Sequence, residues 1–194
     1  ATFDFKGDPA DLIRLYEDAG DVIGVPRSWG LRHFGDTADI LDSTVFPESS
    51  WTTPAWGEGG GFWAGQESCV DDCTKVLSGD PPDRYGCLLE APCGAGKTLM
   101  AVSIAARLNT PTLVLVHKGD LAKQWHDLCS GTDERPGLWP DMRLGHVQQD
   151  KIEFEDCHLV TAMAQTLYSR KSRMPEAFFK HFGLVIYDEG HRYP

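Results

Sequence analysis

The spacing of apolar positions switches between a helical and a strand-like period several times along the chain. Between Gly65 and Leu77, residues Cys69, Val70, Cys73 and Leu77 recur at intervals of three and four, which predicts one buried helical face. Gly86 to Glu90 is short and apolar enough for a buried strand. Leu99 to Leu108, with Met100, Ala101, Ala105 and Ala106, is built from good helix formers, and Asn109-Thr110-Pro111 terminates it. Thr112 to Val116 is a continuous apolar run, the pattern of a central parallel strand. Asp120 is placed to cap a helix from Leu121 to Cys129, whose apolar positions 121, 122, 125, 128 and 129 share one face. Arg143 to Val147 and His158 to Ala162 read as short strands, Gln165 to Ser169 as helical, Pro175 to Lys180 as a helix and Gly183 to Tyr187 as a last strand. Strands alternating with helices predict an α/β fold, a parallel sheet with helices on both faces.

The first third of the chain reads differently. Asp8-Pro9 opens a helix that runs through Leu12, Ile13, Leu15 and Tyr16 and stops before Gly20; Val22 to Pro26 is extended, and Trp29 to Phe34 is a small apolar helix. Residues 1–46 form a small acidic accessory segment and residues 47–61, rich in Pro, Ser and Gly, a linker to the main domain at 62–194. Trp51 and Trp56 in that linker suit either base stacking or the commoner task of plugging a loop onto a core.

Charge divides the chain the same way. Residues 1–85 carry 6 Lys and Arg against 16 Asp and Glu, and residues 86–194 carry 12 against 13. The first segment is a poor candidate for binding a phosphate backbone, whereas the second has room for a local basic face. Arg170-Lys171-Ser172-Arg173 is the dense basic run there. No apolar run approaches a membrane span, no signal segment precedes the first helix, and Cys87 and Cys93 flank a glycine-rich turn, so reduced thiols in a cytoplasmic setting are expected. Cys69 and Cys73 have the spacing of half a metal site, but no second pair with ligand spacing accompanies them, which favours the buried face.

The chemistry concentrates in Ala91-Pro92-Cys93-Gly94-Ala95-Gly96-Lys97-Thr98. Strand, glycine turn and helix is the context of a phosphate-binding loop. Gly94 and Gly96 let the backbone curl so that successive N–H groups point at an anion, and the following helix adds its unpaired donors and dipole. Lys97 reaches the β- and γ-phosphates in this motif, and the Thr98 hydroxyl takes a Mg²⁺ position. Asp188-Glu189 follows an apolar strand 90 residues after Thr98. Such an acidic residue at a strand end holds the metal, and a second carboxylate beside it orients or deprotonates water; a polar turn closing a buried strand is the alternative. In a parallel sheet both motifs end at one carboxyl edge, so they meet in space.

These motifs resemble the first, RecA-like motor domain of a superfamily 2 helicase of the DEAD/DEAH-box type found in phage and bacterial DNA repair. Ala91 to Thr98 resembles motif I; Thr112 to Trp125, with Leu121, Gln124 and Trp125, is similar to motif Ia and its helix; Val160 to Leu167 is similar to the segment carrying motif Ic; Asp188-Glu189-Gly190-His191 stands where the family has its DEAH box. The resemblance covers residues 62–194. It implies a P-loop NTPase fold and ATP hydrolysis with Mg²⁺ coupled to movement on DNA or RNA. It implies that Pro92, Cys93, Gly94, Ala95, Gly96, Lys97 and Thr98 hold the nucleotide and that Asp188 joins Thr98 on the metal. Glu189 activates water, with Lys97 on the transferring phosphate, and His191 links the nucleotide to the nucleic-acid motifs. Gln66 occupies the place of an adenine-reading Gln, although Trp63 stands where the family often has Arg. His117, Lys118, Thr161, Arg170, Lys171 and Arg173 are candidates for a nucleic-acid track.

The family's motif III and second motor domain, with its arginine fingers, are expected beyond Pro194, and a start at Ala1 without Met suggests a fragment. Weak nucleotide binding, slow hydrolysis and low stability are expected of such a chain. Two alternatives accompany the motor reading: a non-catalytic, nucleotide-dependent nucleic-acid-binding module, and the motor subunit of a restriction enzyme.

Overall fold

The computed structural model describes residues 51–78, 86–170 and 173–190, together with the backbone of two short strands, Glu17–Asp18 (β1) and Ile23–Gly24 (β2). β1 and β2 pair antiparallel. Ile23–Gly24 lies in the stretch read as extended, but Glu17–Asp18 corrects the end of the helix expected before Gly20, because an antiparallel partner strand takes up its backbone bonds, Glu17 opposite Gly24 and Asp18 opposite Ile23. The remaining expectations for residues 1–50, and the turn at 79–82, lie outside the described residues.

The main sheet has the order β7-β6-β8-β3-β9, from β3 (Thr112–Val116), β6 (Leu144–Gln148), β7 (Lys151–Glu153), β8 (Leu159–Met163) and β9 (Leu184–Tyr187). β6, β8, β3 and β9 run parallel, and β7 folds back antiparallel on β6. A further small hairpin joins β4 (Gly131–Thr132) to β5 (Arg135–Pro136). The described helices are α1 (Gln66–Ser78), α2 (Lys97–Leu108), α3 (Gly119–Ser130), α4 (Ala164–Arg170) and α5 (Glu176–His181). The mixed α/β architecture with a mostly parallel sheet is the one expected.

The period of two along β3 builds both faces. Val114 and Val116 join Val102, Trp125, Trp139 and Leu159 in one core, while Leu113 joins Val160, Ala162, Phe154 and Phe178 in the other. α2 and α3 cover the first face and α5 the second. Val70 and Cys73 of α1 pack on Met100 and Ile104 of α2, the face predicted from their spacing. Trp51 plugs its loop onto the body, its N–H groups donating to Asn109 Oδ1 at 3.2 Å and Thr110 O at 3.1 Å.

Two further expectations need correction. Residues 86–90 form no strand, and Leu88 is 88% exposed. An extended segment becomes a strand only beside a ladder partner, and among the described residues the sheet ends at β9, whose Val185 and Tyr187 are exposed. Asp120 is not the cap of α3 either: it sits in the first turn, where its charge meets the positive end of the dipole, and Lys118 occupies the cap position.

Candidate nucleotide site

The glycine turn has the backbone that the sequence requires. Gly94 and Gly96 have φ of 80° and 79°, values that cost a residue with a Cβ. Ala95 N–H donates to Pro92 O at 3.2 Å, closing the turn. α2 begins at Lys97 without a side-chain cap, so the N–H groups of its first turn have no helical acceptor and face the loop. The Lys97 ammonium bends back over the loop and donates to Ala91 O at 3.0 Å and Pro92 O at 3.2 Å. Thr98, the next residue on α2, is half-buried, and the Cys93 side chain is exposed.

Gln66 is buried and spans from α1 to this loop. Its Nε2 donates to Ala95 O at 2.9 Å, and its Oε1 accepts from Trp63 N–H at 2.8 Å. A Cβ on Gly96 would lie 2.5 Å from that Nε2. The side chain expected to read adenine is thus also a brace for the phosphate loop.

Topology brings the acidic pair to the same edge. Three residues connect α2 to β3, so the helix runs back along the strand it precedes. Twelve helical residues span about 18 Å, and five strand residues about 16 Å. The start of α2 therefore lies near the carboxyl end of β3. β9 is parallel to β3, with Tyr187 opposite Leu115, so Asp188 leaves the sheet at that edge. Its backbone N–H donates to Leu115 O at 3.0 Å, and its Oδ2 accepts from Trp125 Nε1 at 2.8 Å. Glu189 follows, exposed, with φ of 55°. A glutamate in the left-handed region is uncommon, and such backbone strain gathers at functional turns.

The nucleic-acid candidates divide. Lys118 and Arg173 are exposed, and Lys118 precedes α3 at the carboxyl edge. His117 has a buried Nδ1 without a hydrogen-bond partner. Arg170 is paired with Asp150 at 2.7 Å. Thr161 is fully buried inside the sheet, its hydroxyl held by His126 Nε2 at 3.0 Å and His146 Nδ1 at 2.9 Å, and so is not presented to solvent. Burial, reinforced by the neighbouring His146, lowers the His126 pKa from its ordinary value. Lys171 and His191 lie outside the described residues.

No motif in the sequence marks the Trp125–Asp188 bond or the His126–Thr161–His146 chain. A Trp within a buried helical stripe carries one signal for the first: its indole N–H needs an acceptor. Nothing in the spacing of His126 and His146 marks the second.

Residues 62–194 match the family described as "Type III restriction enzyme, res subunit". The chain is 28% identical over 179 residues to a protein of Acanthamoeba polyphaga mimivirus named as an ATP-dependent RNA helicase, L396, a match covering 91% of this chain and 31% of that protein. It is 34% identical over 132 residues to QP509L of African swine fever virus (Tick/Malawi isolate), also named as an ATP-dependent RNA helicase, covering 65% of this chain and 23% of the relative. A DNA 3'-5' helicase XPB of Kineococcus radiotolerans is 34% identical over 106 residues, 53% of this chain and 18% of that protein. The chain thus spans about a third or less of the length of these relatives. Among the described residues no helix is long and apolar enough to cross a membrane. With its phosphate-loop sequence, its acidic pair at the sheet edge and a family match over two thirds of its length, the chain belongs to the type III restriction enzyme res subunit family of superfamily 2 helicase domains.

Proposed function

We propose that residues 62–194 are the ATP-binding half of a nucleic-acid motor, in which nucleotide hydrolysis drives movement along, or separation of, nucleic-acid strands. The shared edge carries this reading: the turn bearing Lys97 and Thr98 and the turn bearing Asp188 and Glu189 end at the same side of the sheet.

The residues fit Mg²⁺ and a triphosphate. A hydroxyl from Thr98 and a carboxylate from Asp188 are hard oxygen donors of the kind Mg²⁺ selects. Space beside Gly94 is open, since a Cβ there would meet nothing within 4 Å, so backbone can approach an anion closely. Mg²⁺ bound with the triphosphate would neutralise charge building on the phosphoryl oxygens. In the proposed reaction Lys97 exchanges its two carbonyl acceptors for phosphate oxygens. The loop N–H groups orient the chain of phosphates. Glu189 accepts a proton from the attacking water, its exposed position leaving it open to solvent. Lys118 and Arg173 supply salt-dependent contacts to a phosphate backbone. Relatives named for RNA and for DNA both occur, so the strand chemistry belongs to the test.

ATPase activity of the chain alone and joined to a second RecA-like motor domain, with and without single-stranded DNA or RNA, tests the reading beside Lys97→Ala and Glu189→Gln. Both variants are expected to lose stimulated turnover. Retention of native turnover by Glu189→Gln removes Glu189 from the chemistry, and nucleotide binding without stimulated turnover in the native chain favours the non-catalytic binding module instead.

A further inference from the structure

Trp125 stands apart from the other buried aromatics. It is 2% exposed on α3, packed in the core formed with Val102, Val114, Val116 and Trp139. Its single polar atom does not face backbone: Nε1 donates to Oδ2 of Asp188 at 2.8 Å, 63 residues away. A ring of this size packs the core as well with its N–H aimed at a carbonyl, as Trp139 does toward Thr52 O and Trp51 toward Thr110 O. Indole N–H is a donor only and does not titrate. It can neither bind a cation nor carry a proton; what it does to a carboxylate is stabilise the charge by donation, fix the group's rotation and choose between its oxygens.

We propose that Trp125 is a positioning residue for the metal: by holding Oδ2 it turns Oδ1 of Asp188 toward the cation at the sheet edge. The inference rests on the motor reading above, since it acts through Asp188. Asp188 is held at a second point, its own backbone N–H on Leu115 O at 3.0 Å. The backbone bond fixes the main chain of Asp188 and the indole bond fixes its side chain, and such preorganisation lowers the cost of capturing a hydrated divalent ion. Groups that orient a metal ligand in this way are worth roughly tenfold to a hundredfold in metal affinity or activity.

The test is the dependence of ADP binding on Mg²⁺ or Mn²⁺, followed by titration calorimetry and by the Mn²⁺ electron paramagnetic resonance signal. It uses the full chain and its Trp125→Phe and Asp188→Ala variants. A third variant carries benzothienylalanine at 125, which keeps the bicyclic shape and replaces the N–H with sulfur. Both Trp125 variants are expected to need roughly tenfold to a hundredfold more metal, with metal-free ADP affinity unchanged. In the Asp188→Ala background, replacing Trp125 is expected to change nothing further. If Asp188→Ala binds metal and ADP as the native chain does, the site reading falls and this inference with it. If Asp188→Ala loses metal while the benzothienylalanine variant keeps native metal dependence, the inference alone is overturned. Loss of metal-bound and metal-free ADP affinity to the same extent in that variant assigns Trp125 a packing role only and also overturns it.

Discussion

Gly94 and Gly96 look equivalent in sequence, yet the structure makes them unequal, and replacing each with alanine measures the difference. Both have φ near 80°, so alanine at either costs about 1–2 kcal/mol for the left-handed backbone alone. At Gly94 nothing further is added, because a Cβ there meets no atom within 4 Å. At Gly96 the Cβ arrives 2.5 Å from Gln66 Nε2. The far end of a glutamine side chain normally moves aside cheaply. This one is buried and tied at both ends, to Ala95 O and Trp63 N–H. Moving it forfeits at least the Ala95 bond, about 0.5–1.5 kcal/mol, and more if the amide stays buried without a partner. Gly96→Ala is therefore expected to destabilise the chain about 1 kcal/mol or more beyond Gly94→Ala, read from urea unfolding midpoints at neutral pH. The excess should vanish in a Gln66→Ala background, where the obstructing amide is absent. Equal losses for the two glycine variants, or an excess that survives removal of Gln66, would refute the claim that Gln66 braces the phosphate loop.

Three further outcomes follow from particular side chains. Glu189→Gln keeps the positive φ and the size of the residue, so its melting temperature should match the native value while single-turnover hydrolysis falls about 10²–10⁴-fold; a matching rate removes Glu189 from the chemistry. Burial pushes the Cys129 thiol up to about 12, which leaves about one molecule in 10⁴ as thiolate near pH 8. Timed iodoacetamide labelling read by mass spectrometry should modify the exposed Cys93 early and Cys129 last, and early labelling of Cys129 in folded protein contradicts its burial. The depressed pKa of His126 means that the unfolded chain binds a proton which the native chain resists. Its contribution is intact above about pH 6.5 and declines as pH falls from there toward the lower native value, by up to about 1.4 kcal/mol per pH unit. His146 and Lys151 oppose protonation and Asp127 and Gly145 O favour it. Urea titrations of the native chain and His126→Gln across that range should show a flatter acid limb in the variant; parallel limbs exclude His126.

Much of the fold was legible because local pattern and tertiary demand agree there. Thr112–Val116 is buried on both faces by helices, so it reads as a continuous apolar run and forms β3 over those residues. Val70 and Cys73 had to share a helical face, and they pack on Met100 and Ile104. The pattern failed where a partner decides the outcome. Residues 86–90 have strand composition but no ladder neighbour among the described residues. Lys151-Ile152-Glu153 is too short and charged to announce itself, and it becomes β7 only because β6 lies beside it. In the candidate site, the residue types and spacings named the glycine turn and the acidic pair. They were silent on what holds those groups, because Gln66 reaches Ala95 and Trp125 reaches Asp188 across 29 and 63 residues.

The position of α3 explains why adjacent residues on it serve different parts of the sheet. Successive helical residues point about 100° apart, so Trp125 and His126 cannot face one neighbour. Trp125 bonds the carboxylate that follows β9, and His126 bonds Thr161 within β8. Those two strands flank β3 on opposite sides. The helix is therefore fastened across three strands by two side-chain bonds that it makes from consecutive positions. A shift of α3 along β3 must break or carry both bonds, because neither the indole nor the imidazole can follow by rotation within a packed core. Its first turn emerges beside the exposed Lys118 at the carboxyl edge. A load applied at that turn, such as a phosphate backbone drawing on Lys118, would reach Asp188 through one rigid element rather than through a chain of loop residues. Trp125→Phe should accordingly weaken any mutual effect of nucleic acid and metal–nucleotide on each other's binding, measured as the ratio of ADP affinities with and without single-stranded DNA. A ratio unchanged from native would refute a coupling role for α3.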